Sequence, residues 1–402
     1  MMRALFAVVG LACCLGGCDD GPSSPPGTTT SVGGGGGAGG GEAGCPPGTV
    51  AELDGSCEPA GTPADQCGEG FEATGFQSCE PILPTLPCPL GTMAVPGEDS
   101  CQPIADCGTG TWGAIETESN TQHVDDSYTL GDSDGTAAKP WPTITAAMAA
   151  AAPGATVAIA QGDYPAALVL DKPITLWGRC PDLVNLGANS NVAVTLGPTA
   201  SGATLRGVTL GPAGTGVFSD GATAITLREL RVRQPATVGI ALSDGSGPAT
   251  ATVQRVAIEE VSGIALRLIG QSEVTAEELY TVSEPTVDDS SGIRVFATPT
   301  DRANLVLRRA TLIGHRYVGV HVAGADADLE SVAILPGAAE EIGQYGLQVI
   351  DYEEQLATLA VRESMVSGHR RFAIMARGAQ VAIERTLFRD ARIYCEPADQ
   401  AD

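Results

Sequence analysis

One short pattern recurs eight times between about residue 203 and the C-terminus, and it restricts what this chain can fold into more than any other feature. An apolar residue is followed by two mostly charged residues, a small or apolar residue, any residue, and an apolar one. The copies are Leu205-Arg-Gly-Val208-Thr-Leu210, Leu227-Arg-Glu-Leu230-Arg-Val232, Val253-Gln-Arg-Val256-Ala-Ile258 and Ala276-Glu-Glu-Leu279. Then follow Leu307-Arg-Arg-Ala310-Thr-Leu312, Leu329-Glu-Ser-Val332-Ala-Ile334, Val361-Arg-Glu-Ser364-Met-Val366 and Ile383-Glu-Arg-Thr386-Leu-Phe388. Their starts lie 22, 26, 23, 31, 22, 32 and 22 residues apart, a period typical of solenoids.

Each copy is followed by a second short strand that usually opens with glycine: Gly216-Val-Phe218, Gly239-Ile-Ala-Leu242, Gly263-Ile-Ala-Leu266, Gly292-Ile-Arg-Val295, Gly319-Val-His-Val322 and Gly346-Leu-Gln-Val349. The last, Phe372-Ala-Ile-Met375, follows Arg371 instead. Apolar and polar residues alternate within these runs, as in half-buried strands. Strands this short cannot bury a face alone, so each must stack on the next copy at ~4.8 Å per coil. The expected fold is all-β: a right-handed, single-stranded parallel β-helix with a short N-terminal capping helix, preceded by a small disulfide-rich repeat region.

The charged positions test this register. Arg206, Arg228, Gln254, Glu277, Arg308, Glu330, Arg362 and Glu384 form one column; Gly207, Glu229, Arg255, Glu278, Arg309, Ser331, Glu363 and Arg385 form the other. Signs nearly alternate from the middle onward, so stacked coils would pair opposite charges for about 0.2–1 kcal/mol each. This makes the charges a solvated, paired face. The competing reading is sugar binding or catalysis by Glu277, Glu278 or Arg308.

The first residues are an address rather than a fold. Arg3, the apolar run Ala4–Leu15 and then Gly16-Gly17-Cys18 make a secretory signal over residues 1–17, too short to span a bilayer. Leu15-Gly-Gly-Cys18 resembles the lipobox of bacterial lipoproteins, which implies lipidation of Cys18 and a membrane-lipid anchor. Asp19 leaves the choice of inner or outer membrane open; cell envelope, at the outer membrane or cell surface, is the expected location. Residues 18–44, rich in Gly, Ser, Thr and Pro, read as a flexible tether.

Residues 45–107 hold seven cysteines in three units, with spacings of 12 (Cys45–Cys57), 12 (Cys67–Cys79) and 13 (Cys88–Cys101). Units this small need cross-links in place of a core. Pairing inside each unit is expected, with Cys107 left to join Cys180. Nine cysteines remain after Cys18, so either Cys395 is free or one pairing is wrong. No metal site is expected, because the spacing is not Cys-x-x-Cys and no histidine lies among them. Between Asp19 and Ala138 there are nineteen acidic residues and no Lys or Arg, and the chain carries a net charge of −26. Nucleic acid is thereby excluded as a partner, and a hydrated, extended stalk is expected. Calcium is the one cation such a segment would draw, but Asp132-Ser-Asp134-Gly lacks the later ligands of an EF-hand and reads as a turn; no cofactor is expected.

The run Thr136, Lys139, Pro140, Trp141, Thr143, Ile144, then Pro153, Gly154, Val157, Gly162, Tyr164, then Asp171, Lys172, Pro173, Thr175 and Gly178 resembles the opening of β-helix proteins of the pectate-lyase-like superfamily. The resemblance covers roughly 125–395 and implies the fold, with a helix after Thr143 over the first coil. It does not imply an activity, because these residues build coils rather than a site. The catalytic sets of pectate lyases and polygalacturonases are absent: there is no Asn-Thr-Asp, Gly-His-Gly or Arg-Ile-Lys. Asp288-Asp289 is a paired carboxylate in a long turn, and general acid–base work needs a defined separation that sequence cannot give. His315 and His369 occupy matching turns two coils apart. They read as turn residues, or as contacts for a ligand along one edge. Aromatic residues are 4% of the chain, so a sugar-stacking platform must be small, with Tyr317, Tyr345 and Tyr352 as candidates.

The chain thus divides into signal 1–17, lipidated Cys18 and tether to 44, Cys-rich repeats 45–107, β-helix 108–395 and a tail 396–402. The expected function is a non-catalytic envelope lipoprotein presenting its β-helix to polysaccharide or an envelope protein. The alternatives are an acidic-polysaccharide lyase or glycoside hydrolase with an unfamiliar site, and a structural element of the envelope or matrix.

Overall fold

The computed structural model describes residues 5–8, 49–51, 57–59, 61–74, 78–287, 289–337, 344–389 and 393–396. Cys18, Cys45 and Asp288, and the side chains of Cys57 and Cys395, lie outside what is described.

The C-terminal two-thirds is a parallel β-solenoid of about eight turns. Its first sheet contains Ile225–Arg233, Ala249–Val261, Ser272–Ser283, Asn304–Ile313 and Asp326–Leu335 in consecutive parallel register. The second stacks Ala213–Asp220, Pro235–Ser243, Ile264–Ile269, Ser291–Phe296, Val318–Ala323, Tyr345–Ile350, Phe372–Arg377 and Ile393–Glu396. Between the sheets a single apolar core runs the length of the coil, from Ile144 to Phe388. At the C-terminal end, Leu5–Val8 pairs antiparallel with Thr386–Arg389.

The repeat owes its apolar-x-x-apolar spacing to a backbone bend. Every residue of the second charged column has positive φ, from Gly207 (67°) through Glu229 (52°), Arg255 (55°), Glu278 (54°), Arg309 (48°), Ser331 (55°) and Glu363 (49°) to Arg385 (44°). A strand that simply alternated would place the apolar residues three apart on opposite faces. One left-handed residue per coil turns the strand, so that Leu227 and Leu230, for example, both become fully buried.

Glycine opens the second strands for a different reason. A Cβ on Gly239 would meet Ala265 O at 2.6 Å and Ile258 Cγ2 at 2.7 Å, and one on Gly346 would meet Val366 Cγ1 at 2.3 Å. Two copies sit two residues away from the expected alignment: Ile240 pairs with Leu266 and Leu347 with Ile374, so Ala265 and Ala373 occupy the glycine column. Gly263 and Arg371 fall before the strand instead.

The first coil is covered by the helix Ile144–Ala150. Thr143 caps it through Ala146 N–H (3.3 Å), and Ile144, Ala147 and Met148 are buried. Lys172 closes its other end, donating to Met148 O (2.9 Å) and Ala151 O (3.0 Å). These contacts explain why Thr and Lys stand at those points of the opening motif.

The Cys-rich region departs from the expected stalk. From residue 61 on it does not stand off in solvent; it lies along the outer flank of the first sheet as a strap. Disulfides join Cys67–Cys79, Cys88–Cys101 and Cys107–Cys180. At the last coils Phe71 and Cys79 pack on Met365 and Leu387, and Arg389 bonds Glu80. Further along, Met93, Ala94, Val95 and Ile104 pack on Ala257, Tyr280 and Ile313. Cys88 N–H donates to the Tyr280 hydroxyl (3.1 Å), Gly91 N–H to Glu259 (3.1 Å), and Arg255 to Ile104 O (3.1 Å). The strap therefore covers the motif's unconstrained position, occupied by Arg231, Ala257, Tyr280, Thr311, Ala333, Met365 and Leu387, all buried. Full burial of a residue such as Tyr280 is worth about 1.5–3 kcal/mol, so a chain with little core of its own uses the solenoid's flank as one.

Candidate functional site

The charged columns form the ladder their signs predict. Arg206 bonds Glu229 (2.7 Å), Glu278 accepts from both Arg255 (2.6 Å) and Arg309 (3.2 Å), Arg308 bonds Glu330 (3.2 Å), and Arg385 bonds Glu363 (2.7 Å). Glu277 is exposed and in register with Arg308 of the next coil. Glu278 and Arg308 are engaged in ion pairs, and Glu277 lies on the same ladder. Asp289 is exposed in the turn after Ser272–Ser283.

His315 and His369 do not line an edge. They are 4% and 5% exposed, inside the corner between the sheets, where a Cβ on Gly346 would come within 3.2 Å of His369 Nδ1. Thr281 Oγ1 lies 2.7 Å from His315 Nε2. Burial, then the neighbouring His369, pushes His315 down to about 3, and burial pushes His369 down to about 4. They fill a corner as neutral rings, and the edge-contact reading is withdrawn. The Asp132–Asp134 loop is a turn: Lys139 bonds Asp132 (2.8 Å), and Asp134 accepts from Thr136 N–H (3.0 Å). Among the described residues no group of three or more His, Cys, Asp or Glu could hold a metal ion.

The chemistry gathers instead on the outer face of the second sheet. Arg267, Arg294, His321 and Gln348 are in register on four successive strands and alternate with buried inward residues such as Leu266, Val295, Val320 and Val349. Beside this column runs a file of rings. Tyr317 and Tyr345 have centroids 6.1 Å apart, Tyr345 and Phe372 6.2 Å, and Phe372 and Tyr394 5.3 Å. The four rings span about three coil steps, roughly 14 Å. Tyr317, Tyr345 and Phe372 are half-buried and Tyr394 is exposed, so ring surface is open to solvent. Arg294 lies over Tyr317 (5.2 Å), and Arg371 lies near Tyr345 (5.9 Å) and donates to its hydroxyl (3.1 Å). Two of the expected stacking residues, Tyr317 and Tyr345, belong to this file. Tyr352 does not; it is exposed in a separate turn with Gln355.

The column beside the rings is short of partners. Among the described residues, Arg267 Nε, both ring nitrogens of His321 and the Gln348 Oε1 are buried without a hydrogen bond. Among the described residues Arg294 donates to Ser291 Oγ, 2.9 Å and 3.1 Å away, and stands next to Arg267 without an ion pair to either. Burial and then Arg294 lower the pKa of Arg267; the same two causes lower His321 to about 4. The sequence carried a signal for this site that periodicity did not reveal. The outward position of the second strand changes from Phe218 and Ala241 to Arg267, Arg294, His321 and Gln348, and only register shows that these stack. On the first sheet a recess of about 290 Å³ is lined by Thr250, Thr252, Glu273, Thr275 and Asn304; it holds no ring and no cation.

Residues 129–331 match a family model described as a protein of unknown function, DUF1565. The chain belongs to the DUF1565 family. Among solved structures it is similar to a variant of the catalytic domain of GH87 alpha-1,3-glucanase in complex with nigerose, with 10% identity, 70% of this chain covered and a TM-score of 0.46. The chain spans 58% of the length of that domain. It is also similar to pectate lyase Pel9A, with 13% identity, 67% of this chain and 68% of that chain covered and a TM-score of 0.44. For the pectin methylesterase from Aspergillus niger the figures are 15%, 71%, 88% and 0.28. No match was found among curated proteins.

Proposed function

We propose that this chain is a cell-envelope lipoprotein that binds carbohydrate without cleaving it, on the outer face of its second sheet. The observation that carries the reading is the file Tyr317–Tyr345–Phe372–Tyr394, with rings 5.3–6.2 Å apart along the coil axis. Aromatic faces stack on the apolar faces of sugar rings, and a regular file suits a polymer lying lengthwise. The hydrogen-bonding column beside it supplies polar contacts for hydroxyls. Lipidation at Cys18, followed by the tether, would hold this face at a membrane surface.

Affinity electrophoresis of the purified chain in gels containing polysaccharides tests the face. Tyr345→Ala should weaken retardation by about two- to twelvefold, since one aromatic contact is worth about 0.5–1.5 kcal/mol. Unchanged retardation, or depolymerisation of any polymer by the wild-type chain, would overturn the reading. Cys18→Ser should release the protein from the membrane fraction; retention there would remove the anchor from the account.

A further inference from the structure

We infer that the carbohydrate held on this face is anionic, its acidic groups bound by Arg267 and Arg294; the inference rests on the face being the binding site. Three observations converge.

The first is the lack of neutralisation. Around the first sheet the arginines of the repeat are matched by carboxylates, as with Arg255, Arg309 and Arg385. No such ion pair is made by Arg267 or Arg294 among the described residues, and the two guanidinium groups stand on adjacent strands. Like charges stacked at ~4.8 Å repel each other. The chain has 48 acidic and 22 basic residues, yet among the described residues no carboxylate pairs with either arginine.

The second is the direction of the unmet hydrogen bonding. Arg267 Nε is a donor buried without an acceptor among the described residues. His321, 8% exposed, leaves both nitrogens unpartnered, so its N–H has nothing to donate to. Gln348 is equally enclosed, at 8% exposure. Guanidinium groups bind carboxylate or sulfate oxygens through paired N–H bonds, and partial desolvation strengthens such bonds.

The third is placement. Arg294 lies against Tyr317, and Arg371 against Tyr345, so cations and stacking faces alternate along the same axis. A glycan lying on the rings would pass its substituents over the arginines. Since the whole chain is at −26, an acidic polymer is repelled everywhere except at a local cationic site.

Carboxylated and sulfated polymers share this chemistry, so three polymers with one backbone separate the terms: dextran, carboxymethyl-dextran and dextran sulfate. The wild-type chain, Arg267→Gln/Arg294→Gln and Tyr345→Ala are run by affinity electrophoresis at low and moderate salt. The wild-type chain should bind at least one charged polymer about tenfold more tightly than dextran, with the preference falling as salt rises. Which charged polymer wins identifies the acidic group. The double variant should lose the preference for charge, so that dextran and the charged polymers bind it alike. Neither arginine makes an ion pair among the described residues, so the variant should still unfold cooperatively, which a melting curve run alongside checks. Equal binding of dextran and both charged polymers would overturn the inference and leave the ring file intact. So would a double variant that still prefers charge. If the wild-type chain binds no polymer, or if Tyr345→Ala alters no binding, the face itself is wrong and the inference falls with it.

Discussion

The left-handed column makes one prediction that turns on sign. Glu278 adopts φ 54°, and its carboxylate accepts from Arg255 and Arg309 at 2.6 and 3.2 Å with 17% of the side chain exposed. Glu278→Gly would relieve a left-handed conformation that costs about 1–2 kcal/mol. Added freedom of the unfolded chain returns about 0.5–1 kcal/mol of that. Against this stand two charge-assisted bonds, each about 1.5–3 kcal/mol in a buried setting and less here because the arginines are 29% and 24% exposed. Their loss also leaves Arg255 and Arg309, two coils apart, without the carboxylate between them. The net expectation is destabilisation by about 1–3 kcal/mol. Ser331 occupies the same column at φ 55° with no charge to lose, so Ser331→Gly should be neutral or stabilise by up to about 1 kcal/mol. Urea titrations followed by far-UV circular dichroism compare the midpoints. Salt at 1 M should narrow the deficit of Glu278→Gly and leave Ser331→Gly unmoved. If Glu278→Gly proves as stable as the parent, the ion pairs are not what holds the acidic and basic residues in the bend.

Other predictions follow from the strap and the buried rings. Cys107→Ser/Cys180→Ser opens a link across 73 residues, which chain entropy values at about 4 kcal/mol, and the urea midpoint should fall accordingly; a shift under about 1 kcal/mol would show that the strap is held by packing alone. His315, His321 and His369 titrate near 6.5 when unfolded but at about 3, 4 and 4 when folded. The unfolded chain therefore binds more protons as pH falls, so their contribution is complete above about 6.5 and is lost progressively toward pH 4. His369→Gln should reduce the steepness of stability against pH in that window, by about 1.4 kcal/mol per pH unit at most; an unchanged slope would contradict its burial.

The solenoid was legible because its constraint repeats. An apolar pair three apart, eight times over, admits few structures, and alternating signs in two columns fixed how the copies align. What periodicity misread was local. The charged pair looked like two strand positions, but one of them is a bend, because no local signal marks a charged residue that takes positive φ. Gly263 imitated the glycine column two residues early, and only the stacking of Leu266 on Ile240 corrected it.

The Cys-rich segment shows the opposite case. Its composition, acidic and poor in large apolar residues, pointed to a hydrated stalk, and its cysteine spacing pointed to internal bridges. Yet Met93, Val95 and Ile104 are fully or almost fully buried, on a flank 150 or more residues away in sequence. The repeat by itself determined the coil and its charge ladder, because each coil repeats the same nearest-neighbour contacts. Only the tertiary structure decided that the strap lies along the coil and that Arg267, Arg294, His321 and Gln348 share a face with a file of rings. Those contacts join segments whose separation varies from coil to coil, and no period in the sequence encodes them.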